Sequence, residues 1–256
     1  MVQPLLGKEI LITRDQSQSK RLAEMVTDLD GIPVEIPLLK ISCSKDSFHN
    51  FLTDYQWIIF TSANGVHCFF NILMQQTPDM SYLSSVQFAV VGQKTEKALN
   101  EYGFQANFIP SIFTAEALAD ELLNQIQIKG NLLIVKGNKS LSVLQNKFRS
   151  QDVPFEELEI YETKRNEAGM KKLQTYFSNH TPDFITFTSP SAVDAFIEAD
   201  LEEVYMETAL SIPCVCIGTT TEKHANDLGF RNTLIPDQFT IEGMIKRIVH
   251  YIKEKG

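Results

Sequence analysis

The residues that could do chemistry in this sequence are small, hydroxylated or basic, and they follow short apolar runs. They are Thr13, Arg14, Thr61, Ser62, Ala63, Asn64, Gly92, Thr95, Lys136, Gly137, Thr188, Ser189, Ser191, Gly218, Thr220 and Thr221. Each stands at or near the predicted start of a helix, where free N–H groups and a partial positive charge can bind an anion. For any one of these residues, helix capping is the better explanation. The whole set, present in both halves of the chain, predicts a site for an anionic ligand.

Tyr161 is the one candidate for proton transfer. It ends the run Glu-Leu-Glu-Ile-Tyr, at a point where the chain could cross between two domains. A phenol at such a place can donate a proton or a hydrogen bond to a leaving hydroxyl. The alternative is a linker tyrosine that packs against one domain, and the sequence leaves the two interpretations equally open.

The sequence lacks the motifs of familiar catalytic centres. It contains no G-x-G-x-x-G, no P-loop, no H-E-x-x-H and no G-x-S-x-G. Its five histidines are scattered, so we predict no metal site. Cys214 and Cys216 lie two apart in an apolar run, which predicts buried thiols on one face of a strand. Cys43 and Cys68 have no role that the sequence assigns.

Composition excludes several classes of partner. The 256 residues carry a net charge of −9, with 43% hydrophobic and 21% charged residues. Such an acidic protein is not expected to bind nucleic acid or an anionic membrane non-specifically. No apolar run approaches the ~18 residues of a membrane span, and the N-terminus has no signal-peptide pattern. We therefore predict a cytoplasmic protein in a reducing compartment.

An internal repeat organises the chain. The run from Trp57 matches the run from Phe184, and the run from Phe88 matches the run from Cys214 at nearly the same offset. The pairs kept by the second match include Gly92 with Gly218, Thr95 with Thr221, Phe113 with Phe239, and Thr114 with Thr240. The spacing is far too long for a solenoid, so it indicates a duplicated domain.

Each copy alternates short β-rich runs with helical segments, which predicts βαβ units and a parallel sheet. Ser62 and Ser189 directly follow strands and suit helix N-caps, with Pro190 at the first helical position. Thr114 and Thr240 suit N-caps as well. In an open parallel sheet, ligands bind beyond the carboxyl ends of the strands, where these turns lie. The pattern does not decide between tandem domains and an exchanged arrangement.

The sequence resembles the uroporphyrinogen-III synthase family. The matching stretches, in family order, are ILITR, FTSANGV, VVGQKT, FIPSIFTAEALADEL, EIYET, FTSPSAV, IGTTT and IPDQFTIEGM. They cover nearly the whole chain. The resemblance implies an α/β fold of two flavodoxin-like, doubly wound parallel-sheet domains joined by a two-stranded linker. The implied domains are residues 1–38 with 165–256 and residues 42–160, with linkers 39–41 and 161–164.

The resemblance also implies a reaction. The family's substrate is the linear tetrapyrrole hydroxymethylbilane, which loses its terminal hydroxyl and closes, with ring D inverted, to uroporphyrinogen III and water. This lyase chemistry needs no cofactor or metal, and the enzyme would mainly bend the substrate before it closes. Tyr161 matches the family's tyrosine that assists departure of the hydroxyl, and the Ser and Thr turns match its binding turns. Lys136 stands where many relatives have arginine, so a bidentate clamp becomes a point charge.

The implied enzyme is a cytoplasmic monomer whose two halves aim their helix starts into a shared gap. Two rival interpretations remain. One is a non-enzymatic two-lobed module that binds an anionic metabolite, which the repeat and the turns suit equally well. The other is an inactive paralogue, which Tyr161 and the paired Thr-Ser turns argue against.

Overall fold

A computed structural model describes residues 4–44, 49–77, 79–125, 128 and 130–255. The strands are β1 (Glu9–Ile12), β2 (Ile32–Glu35), β3 (Leu39–Cys43), β4 (Tyr55–Phe60), β5 (Gln87–Val90), β6 (Asn131–Gly137), β7 (Phe155–Arg165), β8 (Phe184–Phe187), β9 (Cys214–Cys216) and β10 (Thr233–Leu234). The α-helices are α1 (Gln16–Thr27), α2 (Ala63–Gln76), α3 (Gln93–Glu101), α4 (Ala115–Gln125), α5 (Val143–Ser150), α6 (Glu167–Phe177), α7 (Pro190–Ile197), α8 (Glu203–Ser211), α9 (Thr219–Asp227) and α10 (Ile241–Lys255). Short 3₁₀ turns cover His49–Asp54 and Ser81–Ser85.

The chain divides into two compact units. The first domain contains residues 1–40 and 164–256, and the second contains residues 41–163. The arrangement is therefore exchanged rather than tandem, since the first strand of the chain lies in the sheet built by the C-terminal half. This question could not be settled from the sequence pattern.

The sheet of the first domain has the strand order β10-β9-β8-β1-β2, and its neighbours pair in parallel. When the five strands of this domain are numbered along the chain, the order read from β2 to β10 is 2-1-3-4-5, which is the flavodoxin-like order. In the second domain the order is β3-β7-β6-β4-β5, with a parallel bridge from Ala89 to Phe108 beyond β5. Without β3, the second sheet repeats the order of the first. The predicted α/β fold with parallel sheets is confirmed.

The short central strands are buried on both faces, as strands between two helical layers must be. In β8 all four residues are buried, and β4 is buried from Trp57 onward. Each sheet therefore has two cores. Phe187 and Leu173 lie in one core of the first domain and Ile12 and Val215 in the other. The continuous apolar runs of the sequence are the cause of this layering.

The predicted helix caps are confirmed. The Ser62 hydroxyl accepts a hydrogen bond from the Gly65 N–H at 3.1 Å, and Ser189 accepts one from the Ala192 N–H at 3.3 Å. Pro190 stands at the start of α7, where its missing N–H costs nothing. The hydroxyls of Thr114 and Thr240 cap α4 and α10 in the same way. These four helix starts therefore follow from the local sequence.

The cysteines divide into two kinds. Cys214 and Cys216 are buried free thiols on β9, as predicted. Cys43 and Cys68, which had no assigned role, form a disulfide with a Cα–Cα distance of 5.3 Å. It ties the end of β3 to helix α2. The sequence could not reveal this pair because strand and helix meet only through the tertiary fold.

Among the residues that the structure describes, we find no helix with the length and hydropathy that a membrane crossing requires.

We predict that the disulfide stabilises the second domain measurably. It closes a loop with a sequence separation of 25, for which chain entropy gives about 3 kcal/mol. Denaturant unfolding with and without a thiol reductant should show a drop of this order in the free energy of unfolding. The variant Cys43→Ala with Cys68→Ala should show no dependence on reductant. Equal stability of the parent protein in both conditions would contradict the prediction.

Candidate functional site

The site begins at the point in each sheet where the strand order reverses. In the first sheet, β1 pairs with β2 on one side and with β8 on the other. In the second sheet, β6 pairs with β7 on one side and with β4 on the other. In open α/β sheets such switch points leave a crevice beyond the carboxyl ends of the strands. The residues that end or follow these central strands are Thr13-Arg14, Thr188-Ser189, Lys136-Gly137 and Thr61-Ser62.

In the second domain the switch point holds Tyr161. Its hydroxyl lies 2.9 Å from the Ser62 Oγ, at the N-terminus of α2. The tyrosine side chain is buried, with 9% of its surface exposed. It therefore belongs to the second domain as a packed residue, and its hydroxyl occupies a defined position among the predicted site residues.

Gly137 creates the space for the Tyr161 ring. A Cβ atom on Gly137 would lie 2.4 Å from two ring carbons of Tyr161, a separation that real side chains do not tolerate. The main chains are also joined, because the Asn138 N–H donates to the Tyr161 carbonyl at 3.1 Å. The pairing of β6 with β7 shifts register between Lys136 and Gly137, just at this contact. Tyr161, Ser62 and Gly137 thus form one unit, which we call the tyrosine site.

The tyrosine site can supply a proton. Ser62 Oγ already accepts the Gly65 N–H, and its own hydrogen can be donated to the Tyr161 oxygen. In that arrangement the phenolic hydrogen is available for a leaving hydroxyl. The positive end of the α2 dipole favours the negative charge that develops on the phenol oxygen.

Lys136 is already engaged in an ion pair. Its ammonium group bonds the carboxylate of Glu157, which also receives hydrogen bonds from Gln145 and Arg149. The hydrogen bond from Lys136 is the main cause that lowers the pKa of Glu157. A ligand carboxylate would have to displace Glu157 from this lysine. The ion pair therefore argues against the predicted role of Lys136 in binding a ligand.

In the first domain the corresponding turns open α7 and follow β1. Arg165 donates to the carbonyl oxygen of Ser191 at 3.3 Å and forms an ion pair with Glu198. Arg14 is half-buried, and this burial lowers the pKa of its guanidinium. Arg165 is thus ion-paired, as Lys136 is, and it stands beside the turn that opens α7. The sequence analysis did not select Arg165, although it ends strand β7, which contains Tyr161.

Helices α3 and α9 begin without a side-chain cap. Gly92 and Gly218 stand at their N-cap positions, and neither helix start has a side-chain hydrogen bond to its cap. Because the first N–H groups of a helix lack intrahelical acceptors, such a start can bind a carboxylate. Thr220 is exposed at the start of α9.

Three of the predicted binding side chains are buried inside their own domain. Thr95 and Thr221 are each 3% exposed, and Thr13 is 1% exposed. The Thr13 hydroxyl donates to the Thr186 carbonyl at 2.8 Å, within the sheet. These three side chains support the turns. The other predicted residues at the starts of α2 and α7 are partly exposed: Thr61, Ser62, Ala63, Asn64, Thr188, Ser189 and Ser191.

The fold and the site define a class of protein. It is a two-domain, flavodoxin-like α/β protein with duplicated polar helix starts and a buried tyrosine at one of them. A family model described as uroporphyrinogen-III synthase HemD matches residues 20–246. The chain belongs to the uroporphyrinogen-III synthase family, whose members are cyclising lyases of tetrapyrrole biosynthesis.

Individual relatives agree with this assignment. The porphyrin biosynthesis protein HemD of Ruminiclostridium josui is 30% identical over 97% of this chain, which spans 49% of that longer protein. A uroporphyrinogen-III synthase of Chlorobaculum parvum is 26% identical over 96% of this chain and 100% of its own length. The crystal structure of uroporphyrinogen-III synthetase from Helicobacter pylori has a TM-score of 0.66 at 16% identity, covering 96% of this chain and 100% of that one. At that identity the structural likeness establishes the fold alone.

We predict that Gly137→Ala disrupts the tyrosine site. The added methyl group would overlap the Tyr161 ring, so the ring must leave its place beside Ser62. Overpacking of this kind costs about 1–3 kcal/mol, which denaturant unfolding can measure. The neighbouring variant Lys139→Ala, at an exposed position, is the control and should keep the stability of the parent protein. An unchanged free energy of unfolding for Gly137→Ala would show that the ring does not occupy this space.

Proposed function

We propose that this chain closes hydroxymethylbilane to uroporphyrinogen III, with Tyr161 as the proton donor to the leaving hydroxyl. The observation that carries the proposal is the contact between the Tyr161 hydroxyl and Ser62 at the N-terminus of α2. Membership of the uroporphyrinogen-III synthase family supplies the reaction. No metal or cofactor is part of the proposal.

The proposed steps conserve atoms and protons. Tyr161 gives its phenolic proton to the terminal hydroxyl of the substrate. The carbon–oxygen bond then breaks, water is released, and the substrate becomes an electrophilic azafulvene cation. The electrophilic methylene of the azafulvene bonds to the substituted α-carbon of ring D and gives a spiro intermediate. The original bond from that carbon to the methylene joined to ring C then breaks, which makes this methylene the new electrophile. It bonds to the free α-carbon of ring D, so the ring is closed in the inverted orientation. The ring carbon that is attacked last then loses a proton, which restores the aromatic pyrrole and reprotonates Tyr161.

Geometry, rather than strong acid–base chemistry, decides the product in this proposal. The azafulvene is reactive by itself, and its unassisted closure gives the non-inverted isomer. Bending the substrate before closure therefore supplies the selectivity. We propose that the substrate carboxylates bind at the exposed helix-start turns, which include Asn64, Ser191 and Thr220, and at Arg14. Backbone N–H groups with a helix dipole bind carboxylates even in a protein of net negative charge.

We also propose that the chain acts as a monomer in the cytoplasm. The free thiols of Cys214 and Cys216 are compatible with a reducing compartment. The disulfide between Cys43 and Cys68 is the observation against this location, because such bonds rarely persist there.

The direct test supplies the protein with enzymatically made hydroxymethylbilane and identifies the isomer formed after oxidation to the porphyrin. We expect uroporphyrinogen III. Tyr161→Phe should lower turnover about tenfold or more, because proton donation to the leaving group is lost. Tyr205→Phe, on helix α8 of the first domain, is the matched control and should retain full turnover. A parent protein that leaves only the spontaneous type I isomer would refute the function, as expected for a binding module.

A second variant separates the hydrogen bond from the helix cap. Ser62→Gly removes the hydroxyl beside Tyr161, while glycine at an N-cap costs only a few tenths of a kcal/mol relative to serine. We expect turnover to fall severalfold with little change in the free energy of unfolding, since the Tyr161 hydroxyl loses its partner. Unchanged turnover in Ser62→Gly would show that the Ser62 hydroxyl takes no part in proton donation by Tyr161.

A further inference from the structure

The disulfide between Cys43 and Cys68 joins two segments of the second domain that flank Tyr161. Cys68 lies on α2, the helix that begins beside the Tyr161 hydroxyl. Cys43 ends β3, and the next residue, Ser44, donates its N–H to the carbonyl oxygen of Ile160 at 2.7 Å. Ile160 directly precedes Tyr161 in β7. The disulfide therefore connects the segment at the hydroxyl of Tyr161 with the segment at its main chain.

Strand β3 is the less firmly held of these two segments. It is an edge strand, with β7 as its neighbour on one side of the sheet. Each of its five residues, all of them described by the structure, is at least partly exposed. Helix α2, in contrast, buries Val66, Phe69 and Phe70 in the core of the domain. Because apolar burial resists local unfolding, the end of β3 is the segment that opens first when the disulfide is broken.

An opening of β3 would reach the side chains around Tyr161. Ile41, in the middle of the strand, packs against the buried cluster that includes Ile160 and Tyr161. When the strand end leaves, this cover is lost, and the Ile160 carbonyl loses the N–H of Ser44. Water then competes with Ser62 for the hydrogen bond of the Tyr161 hydroxyl.

The two sulfurs of the disulfide differ in their access to solvent. Cys43 is exposed, whereas Cys68 is 2% exposed. The thiolate of a dithiol reductant therefore attacks the Cys43 Sγ, forms a mixed disulfide there and releases the Cys68 thiolate, which takes up a proton. The second thiol of the reductant then attacks the reductant's sulfur in the mixed disulfide and releases Cys43. The protein gains two electrons and two protons, and the reductant becomes a cyclic disulfide.

We propose that Cys43 and Cys68 form a thiol–disulfide switch that controls proton donation by Tyr161. In the oxidised form the bond holds β3 on the core, and the Tyr161 hydroxyl keeps its contact with Ser62. In the reduced form this contact is weakened and turnover falls. The effect on turnover rests on the proposed function, whereas the change around Tyr161 is measurable without substrate. In the reducing compartment proposed above, a change to oxidising conditions raises activity.

The first experiment measures turnover of hydroxymethylbilane by the parent protein after equilibration with oxidised or with reduced dithiothreitol, in the absence of oxygen. We expect kcat to be about two- to tenfold lower in the reduced protein, the range that one neutral hydrogen bond supplies. Cys43→Ala removes the bond at an exposed position, and it should show the kcat of the reduced parent protein in both conditions.

Two outcomes of this experiment would overturn the switch. One is an equal kcat of the oxidised and the reduced parent protein. The other is an effect of the reductant that persists in Cys43→Ala, because this variant retains the thiols of Cys68, Cys214 and Cys216.

A second variant distinguishes the switch from a general loosening of the domain. Ser62→Gly already lacks the hydroxyl that contacts Tyr161, so reduction should change its kcat by less than about twofold, as expected for two changes that act through one contact. Reduction that lowers the kcat of Ser62→Gly as much as that of the parent protein would contradict the proposal. All proteins are compared at a temperature at which circular dichroism shows the reduced forms to be folded.

Nuclear magnetic resonance tests the switch without substrate. In protein with isotope-labelled tyrosine, the Tyr161 signal is assigned by its loss in Tyr161→Phe, and we expect this signal to shift on reduction. Tyr205, on helix α8 of the first domain, is the internal control and should keep its position. If the parent protein forms only the type I isomer in both redox forms, the proposed function fails, and the Tyr161 signal alone decides whether the bond positions the tyrosine. An unchanged Tyr161 signal would overturn the switch.

Discussion

The parallel pairing of strands from distant parts of the chain is the constraint on which both domains depend. Leu11 in β1 pairs with Ile185 in β8, and Ile59 in β4 pairs with Ile134 in β6. Because these pairs are parallel, the carboxyl ends of the central strands meet at one edge of each sheet. The turns that follow them are brought together there, although they are far apart in sequence. Without these pairings, the polar turns would be isolated helix caps.

The tyrosine site illustrates how packing fixes a chemical group. A phenol on a flexible linker would sample many positions, but Tyr161 is buried, lies over Gly137 and contacts Ser62. These contacts place its hydroxyl at a helix N-terminus, where a developing negative charge is stabilised. For a substrate that closes spontaneously in the wrong orientation, such fixed geometry matters more than an unusual acidity.

The other polar turns divide between supporting and exposed roles. Thr13, Thr95 and Thr221 bury their side chains and support the turns. The serines at the turns, Ser62, Ser189 and Ser191, are partly exposed. Lys136 is neutralised by Glu157, so the turn beside it offers little net charge. In the proposed function, recognition of the substrate carboxylates by this acidic chain depends on backbone N–H groups at the helix starts rather than on a lysine-rich patch.

The sequence by itself determined the features that local spacing encodes. The repeat, the alternation of strands and helices, the caps at Ser62 and Ser189, and the family motifs around Tyr161 can all be read along the chain. The repeat pattern left open whether β1 joins the C-terminal half, which the family resemblance implied and the sheet pairing shows. The tertiary structure alone decided that Cys43 meets Cys68, and that Tyr161 contacts Ser62, which is 99 residues away. Propensity, capping and periodicity act over a few residues. Contacts between distant segments depend on which strands pair and which faces pack, and a single sequence does not display that outcome.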